Sequence, residues 1–100
     1  MSVFGKRLKQ ARTLAGLSQE KVGIAAGLEE ASASTRMNRY EVGARMPNVE
    51  LVERIAKVLD LPVSYFYAID DDEAWLLGAF HRMKASERRQ IIAAVRGIVS

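Results

Sequence analysis

The chain contains no cysteine. That absence excludes disulfide staples, thiol nucleophiles, redox motifs and thiolate-based zinc fingers. Histidine is nearly as scarce: His81 stands alone. With no second nitrogen ligand it makes a poor metal site, and with no serine and acid arranged around it, a poor general base. Asp70-Asp71-Asp72 lacks the ligand spacing of a calcium loop and reads as the acidic first turn of a helix. No metal, no cofactor and no enzyme are expected, since no cluster of acid, base and nucleophile is visible. Long hydrophobic runs are missing too. None is longer than the run from Ala74 to Phe80, far short of the ~20 residues of a membrane helix. Met1 to Gln10 carries three cations and no long apolar block, unlike a secretory signal. A soluble, cytoplasmic protein with no membrane partner is the expectation. Proline occurs only at Pro47 and Pro62, and no stretch alternates cleanly with β-branched enrichment, so strands are not expected.

What is present is 100 residues, 49% hydrophobic and 27% charged, enough for one domain or a small domain with an appendage. The net charge is +3, and the positive excess sits early: residues 1–45 hold eight Lys/Arg against four acids. A polyanion partner and an ordinary solvated surface account for that bias equally well.

Helical spacing recurs throughout. Phe4, Leu8, Ala11 and Leu14 share one face of a helix over Val3 to Ala15, stopped by Gly16. Ser18 reads as the N-cap of a short helix from Gln19 to Ala26, ended by Gly27. A third helix ends near Val42, with Gly43 as terminator. Asn48 caps a fourth, whose stripe is Leu51, Val52, Ile55, Val58 and Leu59. Val63 to Tyr67 forms a short turn with Phe66 inside, and its tyrosines read as core or interface. Asp70 to Glu73 opens a helix with Trp75, Leu76, Ala79, Phe80 and Met83 on one stripe. Ser86 caps the last, whose stripe is Ile91, Ile92, Val95, Ile98 and Val99. About seven helices are predicted, with a boundary at Ala68–Asp72.

Two of these helices meet at Ala26-Gly27-Leu28 as a helix-turn-helix would. Gly23 supplies the small residue that lets the second helix cross closely. Gly27 supplies left-handed backbone, and Leu28 locks the turn to the core. Beyond it, Ser32, Ser34, Thr35, Arg36, Asn38 and Arg39 present polar side chains outward, while Met37 and Tyr40 face the core.

Arg12, Leu17-Ser18-Gln19-Glu20, Ala26-Gly27-Leu28, Met37-Asn38-Arg39-Tyr40-Glu41-Val42-Gly43, Pro47, Leu51 and Ile55-Ala56-Lys57-Val58-Leu59 occur in that order. Over residues 4–67 this resembles the Cro and lambda-repressor type of helix-turn-helix domain, also called XRE-like. The resemblance implies an all-α fold: a five-helix lambda-repressor-like DNA-binding domain at 1–68, followed by a C-terminal helical hairpin at 69–100. It implies a transcriptional regulator, a repressor on double-stranded DNA. Ser18 and Gln19 match positions that bond a DNA phosphate, although an exposed Gln19 needs no special role. Ser34, Thr35, Asn38 and Arg39 match positions that reach base edges. Arg36 matches a phosphate contact, and Arg45 a contact to backbone or minor groove. Arg12 and Glu41 match a buried ion pair joining the first helix to the end of the third.

One departure stands out. The stretch between Leu28 and Met37 exceeds the family pattern by Glu29-Glu30-Ala31-Ser32, about one helical turn or ~6 Å. It either lengthens the turn or extends the recognition helix, bringing Ser32 and Ala33 nearer the bases. The two acids would repel phosphate, so they are expected to turn away or to cap a helix N-terminus.

The hairpin lies outside the resemblance. Its stripes leave apolar surface that a compact five-helix unit does not cover, so Trp75, Leu76, Phe80, Ile91, Ile92 and Val95 are the candidate interface of a homodimer. The alternative is a protein-interaction module, an antitoxin-like adaptor holding a partner protein through the same helices.

Overall fold

A computed structural model describes residues 2–100. It is all-helical: α1 (Val3–Leu14), α2 (Gln19–Ala25), α3 (Glu30–Val42), α4 (Val49–Val58), a 3₁₀ turn (Val63–Tyr67), α5 (Asp71–Arg82) and α6 (Ala85–Val99). Among the described residues there is no strand. Short polar side chains start the helices by accepting orphan amides. Ser18 Oγ accepts from the Lys21 N–H at 3.0 Å, Asn48 Oδ1 from the Leu51 N–H at 2.8 Å, and Asp70 from the Glu73 N–H at 2.9 Å. The last helix departs from expectation. Lys84, not Ser86, occupies its N-cap, and the Glu87 carboxylate reaches back to the Lys84 N–H at 2.8 Å.

The core gathers Phe4 and Leu8 of α1, Val22 of α2, Met37 and Tyr40 of α3, Ile55 of α4 with Leu59 at its C-cap, and Phe66 of the 3₁₀ turn. Phe66 lies 5.6 Å, ring to ring, from Phe4 and edge-on to Tyr65 at 5.3 Å. Leu14, expected on the same face of α1, is exposed, and Val58 is only half-buried.

Arginines serve the open carbonyl ends of this framework. Arg54 Nε donates to Ala26 O at 2.7 Å, closing the end of α2. Arg82 donates to Leu59 O and Asp60 O, both at 3.1 Å, closing α4. Arg88 donates to Phe80 O and His81 O and lies over the Phe80 ring. Arg7 is the most buried. At 1% exposure its guanidinium reaches Ala68 O at 2.8 Å, Ile69 O at 2.9 Å and Asp71 Oδ1 at 2.9 Å. The hydrogen bond from Arg7, aided by Lys6, holds the Asp71 carboxyl below the ordinary carboxylate range. Arg7 therefore fastens α1 to the start of α5 and is not a cation free for a polyanion.

The inward face of α5 carries its small residues rather than its most apolar stripe. Ala74 and Gly78 are buried and Leu77 packs beside them, while Trp75 and Leu76 face outward. Space decides this. A Cβ on Gly78 would stand 3.0 Å from Leu61 Cδ2, so only small residues fit there. No residue of α6 is buried, and the molecule is elongated, 50 × 25 × 23 Å.

Candidate nucleic-acid interface

Two glycines set the crossing of α2 and α3. A Cβ on Gly23 would meet Ala33 Cβ at 3.0 Å and Met37 Cγ at 3.1 Å, so the α2 backbone rests directly on α3. Gly27 has φ +97°, backbone that side-chain-bearing residues rarely adopt. The Leu28 N–H then returns to Gly23 O at 2.9 Å, with the Leu28 side chain buried. The four additional residues extend the helix rather than the turn. Glu29 is the N-cap and α3 runs 13 residues, about 20 Å. Glu29 makes no side-chain cap bond, Glu30 sits in the acidic first turn, and both are exposed.

α3 buries Ala33, Met37, Tyr40 and Glu41, and exposes Ser34, Thr35, Arg36, Asn38 and Arg39. Ser32 is half-buried, its hydroxyl 3.5 Å from Glu29 O. Ala33 overturns an expectation: it is wholly buried against Gly23 and cannot approach bases.

Behind the exposed face lies a chain of polar contacts. Glu41, 2% exposed, accepts from Arg12 Nε at 2.6 Å and from Arg12 Nη2 at 3.1 Å. The Arg12 guanidinium also donates to Leu17 O at 3.0 Å, closing the turn after α1. Gln19 is half-buried, and its amide donates to Glu41 Oε1 at 3.1 Å and to Asn38 Oδ1 at 3.2 Å. The buried ion pair thus braces Asn38 through Gln19. Ser18, at the start of α2, stays exposed.

At the other edge of α3, Arg36, Arg39 and Arg45 line a notch of about 390 Å³ with Tyr40, Pro47 and Asn48. Arg36 Nη2 donates to the Tyr40 hydroxyl at 3.0 Å, which orients it. No acid lines the notch, so its three guanidinium groups make it cationic.

The helix-turn-helix domain model matches residues 3–64. The chain belongs to the helix-turn-helix domain family. The resemblance to XRE-like regulators read from the motif residues therefore holds. Two curated relatives, each described as an uncharacterized HTH-type transcriptional regulator, come from Sinorhizobium medicae and Rhizobium meliloti. Both are 32% identical over 63 residues, covering 63% of this chain. This helix-turn-helix chain spans 42% of their length. A solved structure, that of the transcriptional regulator BswR, superposes with TM-score 0.87 at 35% identity, over 93% of this chain and 92% of that one. A match of that extent runs well past residue 64, so the shape shared with BswR takes in most of the C-terminal helices as well.

In this helix-turn-helix chain, α5 and α6 enclose a mainly apolar groove of about 410 Å³, which Glu73 and Arg96 also line. Leu76, Leu77 and Phe80 line one side, Ile91, Ile92 and Val95 the other. Five of the six residues expected at an interface meet there. Trp75 does not: it lies on another face of α5, beside α1. Among the described residues, no helix is long and apolar enough to cross a membrane.

Two structural residues escaped the sequence reading. Gly5 was an available signal, because a glycine inside a helix, between core residues Phe4 and Leu8, needs a packing reason. Arg7 gave none, since its partners lie some sixty residues away.

Proposed function

We propose that the protein is a sequence-specific DNA-binding transcriptional regulator, a repressor that occupies an operator as a dimer and performs no chemistry. One observation carries this reading: a single solvent-facing polar strip on α3, bordered by the notch of three arginines. In it α3 enters the major groove. Ser34, Thr35, Asn38 and Arg39 reach base edges, with Ser32 at the upstream end. Arg36 and Arg45 hold phosphate, as does Ser18 at the start of α2. Gln19 contributes chiefly by setting Asn38. Arg12 and Glu41 keep the geometry.

The reading is tested by selecting bound sites from random duplexes and titrating the winner by fluorescence anisotropy at several salt concentrations. Arg39→Ala weakens binding to the preferred site by about 1–3 kcal/mol and relaxes preference at one position. Arg45→Ala weakens all sequences alike and lowers the salt slope by about 1. Equal loss from Arg39→Ala on random DNA would make Arg39 a phosphate contact instead. No binding at low salt would sink the proposal.

The dimer rests on α6. A single amphipathic helix of 15 residues with nothing buried is marginal alone, and its Ile92 and Val95 face the same open groove as Leu76 and Phe80. A second copy covering this groove would set two recognition helices on a two-fold operator. Ile92→Glu converts the dimer to monomer in sedimentation velocity and weakens operator binding, leaving α1 to α4 folded. A parent protein that sediments as a monomer and binds no DNA would favour the partner-protein alternative at this groove.

A further inference from the structure

A second concavity, about 320 Å³, lies between α1 and α5, on a different face of α5 from the groove described above. Its volume is at the small end of ligand pockets. Ala11, Ala74 and Gly78 give it a shallow apolar floor. Trp75, 70% exposed, stands at its lip with an open indole face.

The polar groups around that floor are mainly donors. Tyr65 is 5% exposed, with its ring beneath Gly78. Among the described residues no fully buried side-chain polar atom lacks a partner, so the phenol oxygen is not sealed from solvent, and Tyr65 lines this cleft. Burial, only partly offset by Arg7 and Arg82, raises its pKa above the usual tyrosine value. At neutral pH it therefore offers a proton to an acceptor. Gln10 uses its carbonyl oxygen on Arg7 Nη1 at 3.0 Å, which leaves its amide N–H groups to donate. Arg82 engages Leu59 O and Asp60 O through Nη2 and Nε and pairs with the Asp60 carboxylate at 3.5 Å, leaving its other terminal nitrogen. The one lining acid, Asp71, is already met by Arg7 at 2.9 Å and Lys6 at 3.4 Å.

We propose that the α1–α5 cleft is a binding site for a small planar aromatic carboxylate. The ring lies on the Ala/Gly floor against Trp75, and the carboxylate accepts from Tyr65, Gln10 and Arg82. A flat apolar body matches the Ala/Gly floor between Leu14, Leu61 and Trp75, and three donors in the lining with an acid already paired favour an anionic acceptor. The site does not depend on DNA binding.

Trp75 is the only tryptophan in the chain, so its emission reports this cleft. Benzoate is the probe, with benzyl alcohol and cyclohexanecarboxylate as the neutral and the non-planar comparisons. Benzoate shifts Trp75 emission saturably with a dissociation constant on the order of 1 mM, and both comparisons bind at least about fivefold more weakly. Tyr65→Phe keeps the ring in the core and weakens benzoate about tenfold. Ala79→Leu, at the half-buried edge of the cleft, fills the site and abolishes the shift. It provides the test should Tyr65→Phe unfold. The proposal is overturned by no saturable shift up to about 10 mM, by benzyl alcohol binding as tightly as benzoate, or by an unchanged response in Ala79→Leu.

Discussion

Replacing Glu41 with alanine lowers the stability of the chain by about 3–5 kcal/mol in a denaturant titration, a large share of what a domain this size possesses. Glu41 is 2% exposed and accepts three hydrogen bonds, two from Arg12 and one from Gln19. Removing it leaves the mostly buried Arg12 guanidinium charged and without its counter-ion. That uncompensated charge, rather than the lost attraction, dominates the effect. The double substitution of Arg12 and Glu41 to alanine should therefore cost clearly less than the sum of the singles, with a coupling of about 0.5–3 kcal/mol. Additive losses would mean that the pair contributes packing and not electrostatics. Gln19 also loses its anchor in the Glu41 variant, so Asn38 on the exposed face of α3 becomes less ordered. Backbone and side-chain amide relaxation of Asn38 by NMR would detect that loss.

Gly5→Ala destabilises by about 3 kcal/mol or more, although alanine is the better helix former. The methyl group would sit 2.2 Å from Glu41 O and 2.9 Å from Tyr40 O. Both are backbone atoms at the end of α3, with no rotamer to yield, so α1 must move off α3 and open the core at Phe4 and Leu8. Gly97→Ala is the matched control. A Cβ there meets nothing within 4 Å, and the change stabilises α6 by about 0.5–1 kcal/mol through reduced chain entropy. Thermal melts of the two variants should move in opposite directions. A Gly5→Ala protein that melts with the parent would show that α1 does not cross α3 this closely in solution.

Gly5 lies at the start of α1 and Arg12, the partner of Glu41, at its end, so Glu41→Ala and Gly5→Ala both act where α1 meets the last turn of α3. The polar strip proposed to read DNA is carried by that same helix, so its stability and its aim share a support. The contacts proposed for Arg39 and Arg45 lie at the opposite edge of α3, and their substitution should leave melting nearly unchanged while altering binding.

Most of the helices were legible because the signals that make them are local. Apolar residues at three- and four-residue spacing, a Ser or Asn before the first turn and a Gly after the last act within a few positions of one another. The turn chemistry of Gly23, Gly27 and Leu28 was legible for the same reason, and so was the inward direction of Met37 and Tyr40. The ordered motif from Arg12 to Leu59 carried the family. The sequence left open whether Glu29 to Ser32 belonged to turn or helix, because polar residues near a helix start suit either.

Tertiary packing decided the rest. Periodicity identified Trp75, Leu76 and Phe80 as the most apolar stripe of α5, yet Ala74, Gly78 and Leu77 face the core, and a Cβ on Gly78 would already stand 3.0 Å from Leu61. Arg7 counted as one of eight early cations, but the carbonyls of Ala68 and Ile69 drew it inside. Gln19 proved to be a brace between two helices. Local pattern determined which segments are helical and which family they form, since backbone hydrogen bonds and caps are satisfied within a segment. Which side of each helix faces inward, and which charges are internal, was set by shape and by unpaired carbonyls on segments distant in the chain, and only folding brings those together.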